Sequence, residues 1–335
     1  MGGSVLAFLA RRVAYYLVLL VSAAFLSYIL AATALSPRAY FQARLPPPPA
    51  EQVDRQLHAI GLDDRRPVTE RFAGWAGRAA RGDLGTSITG TSVNAEFGRR
   101  VGVSLRLLAL GTTLGIAAGV AAGAWSAVRQ HRLSDRSFTV LAFLLLSTPT
   151  FLIALLLKIG ALAANRAAGR QVVAFTGERS PGLTGSALTL LADRAGHLLL
   201  PTLSIGLVTV ATYSRYQRSA MLDVLGADYL RTAAAKGLPR RSVLVKHGLR
   251  TALIPMSTFF SFGFLGVLTG ATFTEKIFGW HGMGEWFIDS VNNNDVNAVV
   301  AVNLFAAVTV LFAGLLADVL HAVLDPRVRL GGRRG

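Results

Sequence analysis

The stretch DYLRTAAAKGLPRRSVLVKHGLRTALIP, residues 228–255, interrupts an otherwise apolar chain with a basic, alanine-rich segment. Asp228 suits a helix N-cap, and residues 229–236 predict a helix of about two turns behind it. Gly237 is placed to close that helix in a left-handed conformation. Pro239 is typical of the first turn of a new helix, which runs on into the next apolar run. The stretch therefore predicts a short helix, a glycine turn and a second helix.

The rest of the chain is apolar enough to need a bilayer as solvent. Only 16% of its 335 residues are charged and the mean hydropathy is +0.48, whereas soluble domains carry about 25% charged residues. A spanning helix needs about 20 apolar residues. Six runs of about this length lack Asp, Glu, Lys and Arg: 13–36, 107–128, 137–157, 195–214, 251–274 and 296–317. Pro149 lies in the third of these runs and should kink its helix. These runs predict an all-α polytopic membrane protein with six transmembrane helices.

The positive charges orient these helices. With a cytoplasmic N-terminus, the outer loop 275–295 holds only one lysine, and the outer loop 158–194 holds Lys158 and four arginines. The long outer segment 37–106 counts little in the positive-inside rule. Half of the 34 Lys/Arg residues then fall in four inner segments: 1–12, 129–136, 215–250 and 318–335. Both termini are therefore predicted to be cytoplasmic. Topology and contact with anionic lipid explain the net charge of +16, so no nucleic-acid partner is expected.

The chain is predicted to divide into four parts. Residues 1–36 form a cytoplasmic N-terminus with the first transmembrane helix, and 37–106 form an external segment with a short helix near 50–60. Residues 107–325 form a membrane domain of five helices, and 326–335 a cytoplasmic tail. The first run is longer than the apolar core of a signal peptide, so a retained helix is favoured over cleavage near ATALS. The external segment is too polar to span and is expected to pack on the outer ends of the helices.

Four glycines recur at every fourth residue of the second run: Gly111, Gly115, Gly119 and Gly123. In lipid, a stripe of small residues lets another helix backbone approach closely, and van der Waals contact then holds the pair. Packing within the chain is the favoured interpretation, and contact with a second subunit is the alternative.

Motifs for chemistry on this chain are missing from the sequence. The Gly-Lys pair of a P-loop never occurs, and neither do H-E-x-x-H or G-x-S-x-G. There is no cysteine, and the six histidines form no close pair on one helix face, so no metal or cofactor is expected. Because the apolar runs hold no Asp, Glu, Lys or Arg, a transporter with its own ion site is disfavoured. If the chain belongs to a pump, the power must come from another polypeptide.

The opening stretch resembles the cytoplasmic coupling loop, or EAA loop, of ABC importer permeases. TAAAKG at 232–237 precedes a basic helix and LIP at 253–255, and Thr232 replaces the usual leading Glu. The oligopeptide/dipeptide branch shares that departure, with the pattern DYxRTAxAKGL followed by RHALRNALIP. Further resembling segments follow the family order: GLDDRRP (61–67), RGDLGTSI (81–88), EKIFGWHGMGEW (275–286) and DPRVR (325–329).

The resemblance implies a type I ABC importer permease in the bacterial cytoplasmic (inner) membrane, forming half of a pathway for oligo- or dipeptides. It implies a second homologous permease subunit as heterodimeric partner, two ATP-binding subunits or one fused ATPase, and an external peptide-binding protein. ATP and Mg²⁺ would lie on the ATPase, and this chain would be no enzyme.

The resemblance also assigns a coupling role to the short helix, which would dock in the ATPase cleft as a lever. Ala233, Ala234, Ala235 and Gly237 would provide the fit, with Arg231 and Lys236 as rim charges. The implied coupling residues are Asp228, Tyr229, Leu230, Arg231, Thr232, Ala233, Ala234, Ala235, Lys236, Gly237 and Leu238.

Two other readings stay open at this point. One is a permease of the same fold that carries nickel or another small solute, such as a sugar. The other is a membrane-embedded enzyme or a passive channel. A channel usually has a polar or charged pore ring, and an enzyme needs clustered catalytic groups, and the sequence shows neither.

Overall fold

The structure is a computed structural model that describes residues 2–324. It leaves out the side chains of 2–11, 257–258, 261–266, 269 and 321–324. Regular structure in the described residues is helical, apart from one isolated bridge between Thr86 and Ser92. The DPRVR motif and the predicted tail lie outside the described residues.

The helices vary from three residues to 39 residues in length. In chain order they are α1 Gly2–Ala34, α2 Pro37–Gln42, α3 Ala50–Ala59, α4 Val68–Ala79, α5 Val93–Val128, α6 Leu133–Ser147, α7 Thr150–Ala168, α8 Ala187–Leu225, α9 Asp228–Ala235, α10 Arg240–Ser242, a π-helix Val243–Leu249, α11 Arg250–Phe278, α12 Met283–Asn292 and α13 Val296–Leu324.

The chain forms two compact units. Of the described residues, the first unit contains those up to Ser104 together with His281–Leu311, and the second contains Leu105–Trp280 together with those from Phe312 onward.

The first unit has an apolar core between the external segment and two long helices. The predicted helix near 50–60 is confirmed as α3, which buries Val53 and Leu57. They join a cluster that includes Tyr28 of α1, Trp75 of α4 and Val300 of α13. The external segment thus packs on helix ends, as expected from its polarity.

A buried carboxylate also ties the external segment to the start of α13. Asp295 is 2% exposed, and it accepts hydrogen bonds from the Ser87 hydroxyl and from the Ile88 backbone N–H at 3.1 Å. The Asn297 side-chain amide donates to the Thr86 carbonyl at 2.9 Å. Burial raises the pKa of the Asp295 carboxyl, while the hydrogen bonds that it accepts from Ser87 and Ile88 lower it. The loop around residues 86–88 is therefore held by specific polar contacts.

The prediction of an all-α, multi-spanning chain is confirmed. The predicted run 251–274 lies within α11, some of whose side chains are outside the described set. In the described part, five helices are long and apolar enough to cross a membrane: Arg12–Ala34, Val93–Val128, Thr150–Ala168, Ala187–Leu225 and Val296–Leu320.

The predicted third span is wrong in its form. The run 137–157 is divided between α6 and α7, because the chain is extended at Thr148 (ψ 125°) and α7 begins after Pro149. Proline has no N–H to continue the helix and disfavours a helical conformation at the preceding residue. The result is a break and not a kink. Helix α7 then continues through Lys158, which was expected in a loop and donates to the Ile277 carbonyl at 2.5 Å.

The glycine stripe of α5 lies against α8 in the second unit. A Cβ atom added at Gly115 would lie 2.7 Å from Cβ of Thr209, and one at Gly119 would lie 3.0 Å from the Val210 carbonyl oxygen. Four glycine–partner pairs repeat at the same spacing on both helices: Gly111 with Ile205, Gly115 with Thr209, Gly119 with Tyr213, and Gly123 with Gln217. The stripe is therefore filled by a helix of the same chain.

The order of these pairs shows that α5 and α8 run parallel, because residue numbers increase together along both helices. Two parallel spanning helices leave the membrane on the same side. The chain from 129 to 186 must therefore cross back once, and the only helices available there are α6 and α7. At 15 residues, α6 is about 22 Å long, which is short of the bilayer core of about 30 Å, so α7 contributes to the crossing.

We predict that Gly115→Ala lowers the thermal stability of the detergent-solubilised chain. The added methyl group must displace Thr209, and overpacking of this kind costs about 1–3 kcal/mol. Gly102→Ala is the matched control, since it lies on the same helix with nothing within 4 Å of the added Cβ. The control should be neutral or stabilising, as alanine favours helices by up to about 1 kcal/mol. Equal unfolding midpoints for the two variants would contradict the packing role of the stripe.

Candidate functional site

Residues 228–238, here called the coupling segment, follow α8 in the second unit. Helix α9 begins one residue earlier than expected, and the predicted N-cap is wrong. Ala227 occupies the cap position with extended backbone (ψ 138°), and Asp228 is the first helical residue and makes no capping hydrogen bond. Its carboxylate lies 3.7 Å from the Arg231 guanidinium. Both groups are exposed, so this pair adds little stability.

The end of α9 has the predicted glycine geometry. Gly237 has φ +84°, and its N–H donates to the Ala234 carbonyl at 3.0 Å. Ala235 is the last helical residue, and the backbone N–H of Lys236, the next residue, donates to the Thr232 carbonyl. Nothing lies within 4 Å of a Cβ added at Gly237. The space around this turn is therefore open, and backbone conformation alone favours glycine there.

Leu230 anchors the coupling segment to the rest of the second unit. The side chain is 5% exposed and packs near Met221 and Val224, at the end of α8. Gly248 of the π-helix completes this socket, since a Cβ there would lie 3.3 Å from Cε of Met221 and 3.8 Å from Cδ1 of Leu230. Leu230 therefore points inward, unlike the predicted fit residues Ala234, Ala235 and Gly237, which are exposed.

The small residues of the segment are mostly presented outward. Ala233 is half-buried, whereas Ala234, Ala235 and Gly237 are exposed. The rest of the exposed set consists of Asp228, Tyr229, Arg231, Thr232, Lys236 and Leu238. The exposed surface of the segment is therefore made of small side chains with charged residues around them. Small side chains of this kind bury little area by themselves but let a partner approach closely.

The segment continues into the membrane helix that follows it. Pro239 was predicted in the first turn of the second helix. In the structure it is the N-cap of α10, one position before the first helical residue, Arg240. Helix α10 continues through the π-helix Val243–Leu249 into α11 without interruption. π-helical turns are uncommon and occur often at functional sites. A turn of four residues, 236–239, separates α9 from this continuous helix.

A buried ion pair holds α8 just before the coupling segment. Asp135, at the start of α6, is 3% exposed and accepts from Nε and Nη2 of Arg218 at 2.7 and 2.9 Å. It also accepts from the Ser126 hydroxyl and the His131 backbone N–H. The Arg218 hydrogen bonds hold the pKa of the Asp135 carboxyl well below its usual range. The ends of α5 and α8 are thus fixed to one carboxylate.

The sequence places Asp135 in the predicted inner segment 129–136 but does not predict this role. The available signal was weak: a lone acidic residue between Arg132 and Arg136, next to an apolar run. Its partner Arg218 lies 83 residues away, which no local pattern reveals.

The described residues contain no group of three or more His, Cys, Asp or Glu side chains that could hold a metal ion. His281, in the Gly/Trp-rich turn of the first unit, pairs with Glu285 at 2.7 Å. Arg100 lies 3.4 Å from the same carboxylate. Glu285, in the first turn of α12, thus joins Arg100 of α5 and His281, and we assign this cluster a structural role.

Several long apolar helices, together with a short exposed helix between two of them, define a multi-pass membrane protein. The sequence matches the family described as binding-protein-dependent transport system inner membrane component over residues 115–330. The chain belongs to this family of transport-system subunits.

Curated relatives support the same family. The chain is 55% identical over 323 residues to the oligopeptide transport system permease protein OppB of Mycobacterium tuberculosis, covering 96% of this chain and 99% of the relative. It is 34% identical to the oligopeptide transport system permease protein AppB of Bacillus subtilis, covering 84% and 87%. It is 32% identical to the dipeptide transport system permease protein DppB of Escherichia coli, covering 82% and 84%.

Proposed function

We propose that this chain is a membrane-spanning permease subunit of an ATP-driven importer that moves oligo- or dipeptides into the cytoplasm. The observation that carries the proposal is the 55% identity to an oligopeptide permease along nearly the full length of both chains. The more distant relatives are also named for peptide transport. The transported solute is therefore taken to be a peptide and not nickel or a sugar.

The proposal requires partners that supply energy and the rest of the pathway. A second homologous permease subunit completes the pathway, and an external peptide-binding protein delivers the solute. Two ATP-binding subunits, or one fused ATPase, bind ATP and Mg²⁺ and lie against the coupling segment. The orientation follows the positive charges, with the coupling segment and both termini in the cytoplasm.

The coupling segment acts as the mechanical link in this proposal. The ATPase contacts the exposed small residues Ala234, Ala235 and Gly237, while Leu230 transmits displacement to its socket at Met221 and Gly248. ATP can shift the pathway between inward-facing and outward-facing states only if the ATPase contact differs in free energy between them. A segment anchored on one side and open on the other can transmit such a difference from the ATPase to the rest of this chain.

The solute is tested by ATP turnover in the purified complex. The tagged chain should copurify with a homologous permease, an ATPase and a binding protein. With that binding protein present, short peptides should raise ATP hydrolysis several-fold, and Ni²⁺ should have no effect. Stimulation by Ni²⁺ or a sugar, but not by peptides, would assign a different solute to the same fold.

The coupling role is tested by Gly237→Leu. We expect peptide uptake to fall at least tenfold while the complex still assembles and retains basal ATP hydrolysis, since the leucine blocks the ATPase contact without clashing inside this chain. Gly169→Leu is the matched control. Gly169 closes α7 with φ +63°, donates to a carbonyl three residues earlier and has nothing within 4 Å of an added Cβ. Both variants place a leucine at a glycine with positive φ, +84° at Gly237 and +63° at Gly169, so equal loss of uptake would refute a specific role for Gly237.

A further inference from the structure

A cavity of about 660 Å³ lies between α8 and α11, next to the coupling segment. Ligand pockets commonly have volumes of about 300–1,000 Å³. The buried side chains of Ala252 and Met256 lie on its α11 side. The cavity is built entirely within the second unit, from the two helices that the coupling segment joins.

One wall of the cavity is aromatic. The rings of Tyr216 and Phe259 have centroids 3.9 Å apart, and Phe259 also meets Tyr213 edge-on at 5.3 Å. Tyr216 is 52% exposed, so a broad ring face borders the cavity. Such a wall accepts apolar and aromatic side chains without selecting one of them.

The polar groups of the cavity centre on Asp223. Its carboxylate is exposed, and no basic side chain among the described residues forms an ion pair with it. By contrast, Asp135 is bound by Arg218, and Asp228 lies near Arg231. Two hydroxyl groups, on Ser219 and Thr251, also line the cavity. An unpaired carboxylate beside hydroxyl groups suits a ligand that carries an ammonium group, since such hydrogen bonds are charge-assisted.

We propose that this cavity is a subsite for the transported peptide on the cytoplasmic side of the pathway, with Asp223 receiving the peptide α-ammonium. The inference rests on the proposed function, because it takes the solute to be a peptide. Every unblocked peptide carries this ammonium group, whatever its side chains. Recognition at Asp223 therefore needs no sequence preference, and the aromatic wall accommodates the first side chain.

The position of the subsite links it to the coupling segment. Helix α9 lies between α8 and α11 in the chain, and its Leu230 socket is made from Met221 at the end of α8 and Gly248 of the π-helix that leads into α11. A displacement of α9 changes the separation of α8 and α11 at this level. The width of the cavity is thus coupled to the ATPase contact.

The test uses the complete complex in proteoliposomes, with its binding protein outside and unlabelled trialanine sealed inside. Trialanine at the cytoplasmic face should occupy the subsite and inhibit uptake of labelled peptide. Asp223→Asn should raise the internal concentration needed for half-inhibition at least fivefold. N-acetyl-trialanine, which has no ammonium group, should inhibit weakly and equally in both proteins. Asp318→Asn, which removes the same charge from the same face outside the cavity, should behave like the wild type.

Three results would overturn the subsite: uptake unaffected by internal trialanine, equal inhibition in wild type and Asp223→Asn, or equally strong inhibition by the acetylated peptide. Each of them still leaves peptide uptake by the wild-type complex intact. Failure of the wild-type complex to take up any peptide would instead overturn the proposed function. If a lipid fills the cavity, uptake of the labelled peptide should be unaffected by both trialanine and N-acetyl-trialanine inside the vesicles, which is the first of these three results.

Discussion

Four glycines of α5 lie against Ile205, Thr209, Tyr213 and Gln217 of α8, and the arrangement of the second unit depends on this contact. In hydrocarbon, helices gain little by leaving lipid, so their association relies on close packing. The pairing makes α5 and α8 parallel, so their ends lie on one side of the membrane. The Asp135–Arg218 pair then ties these ends to the start of α6. The coupling segment leaves α8 from a base that is fixed by packing and by charge.

From that base, the coupling segment has a buried side and an open side. Leu230 fills a socket between α8 and the π-helix, whereas the alanines beyond it are exposed. The π-helix continues into α11, so the segment is connected to both walls of the cavity at Asp223. A force applied at the exposed residues therefore has a short path to this cavity.

Local sequence patterns predicted much of this structure. The apolar runs predicted the long helices, and Gly237 predicted the left-handed turn, because both signals depend on residues close together in the chain. Pro149 was recognised, but not the full break it makes with Thr148, since helix propensity alone does not decide between a kink and an end. The socket of Leu230 and the pairing of Asp135 with Arg218 depend on contacts between distant residues. No spacing rule reports such contacts, so the most specific features of the site came only from the structure.

The central claim is that the exposed side of the coupling segment touches an ATPase. The chain has no cysteine, so Ala235→Cys introduces a single reactive thiol at an exposed position. Thr91→Cys, exposed in the external segment, is the control. The account predicts that a short thiol cross-linker joins residue 235 to the ATPase subunit, with a yield that changes on addition of ATP, and that residue 91 gives no such product. A complex that hydrolyses ATP but shows no cross-link from residue 235 would contradict it.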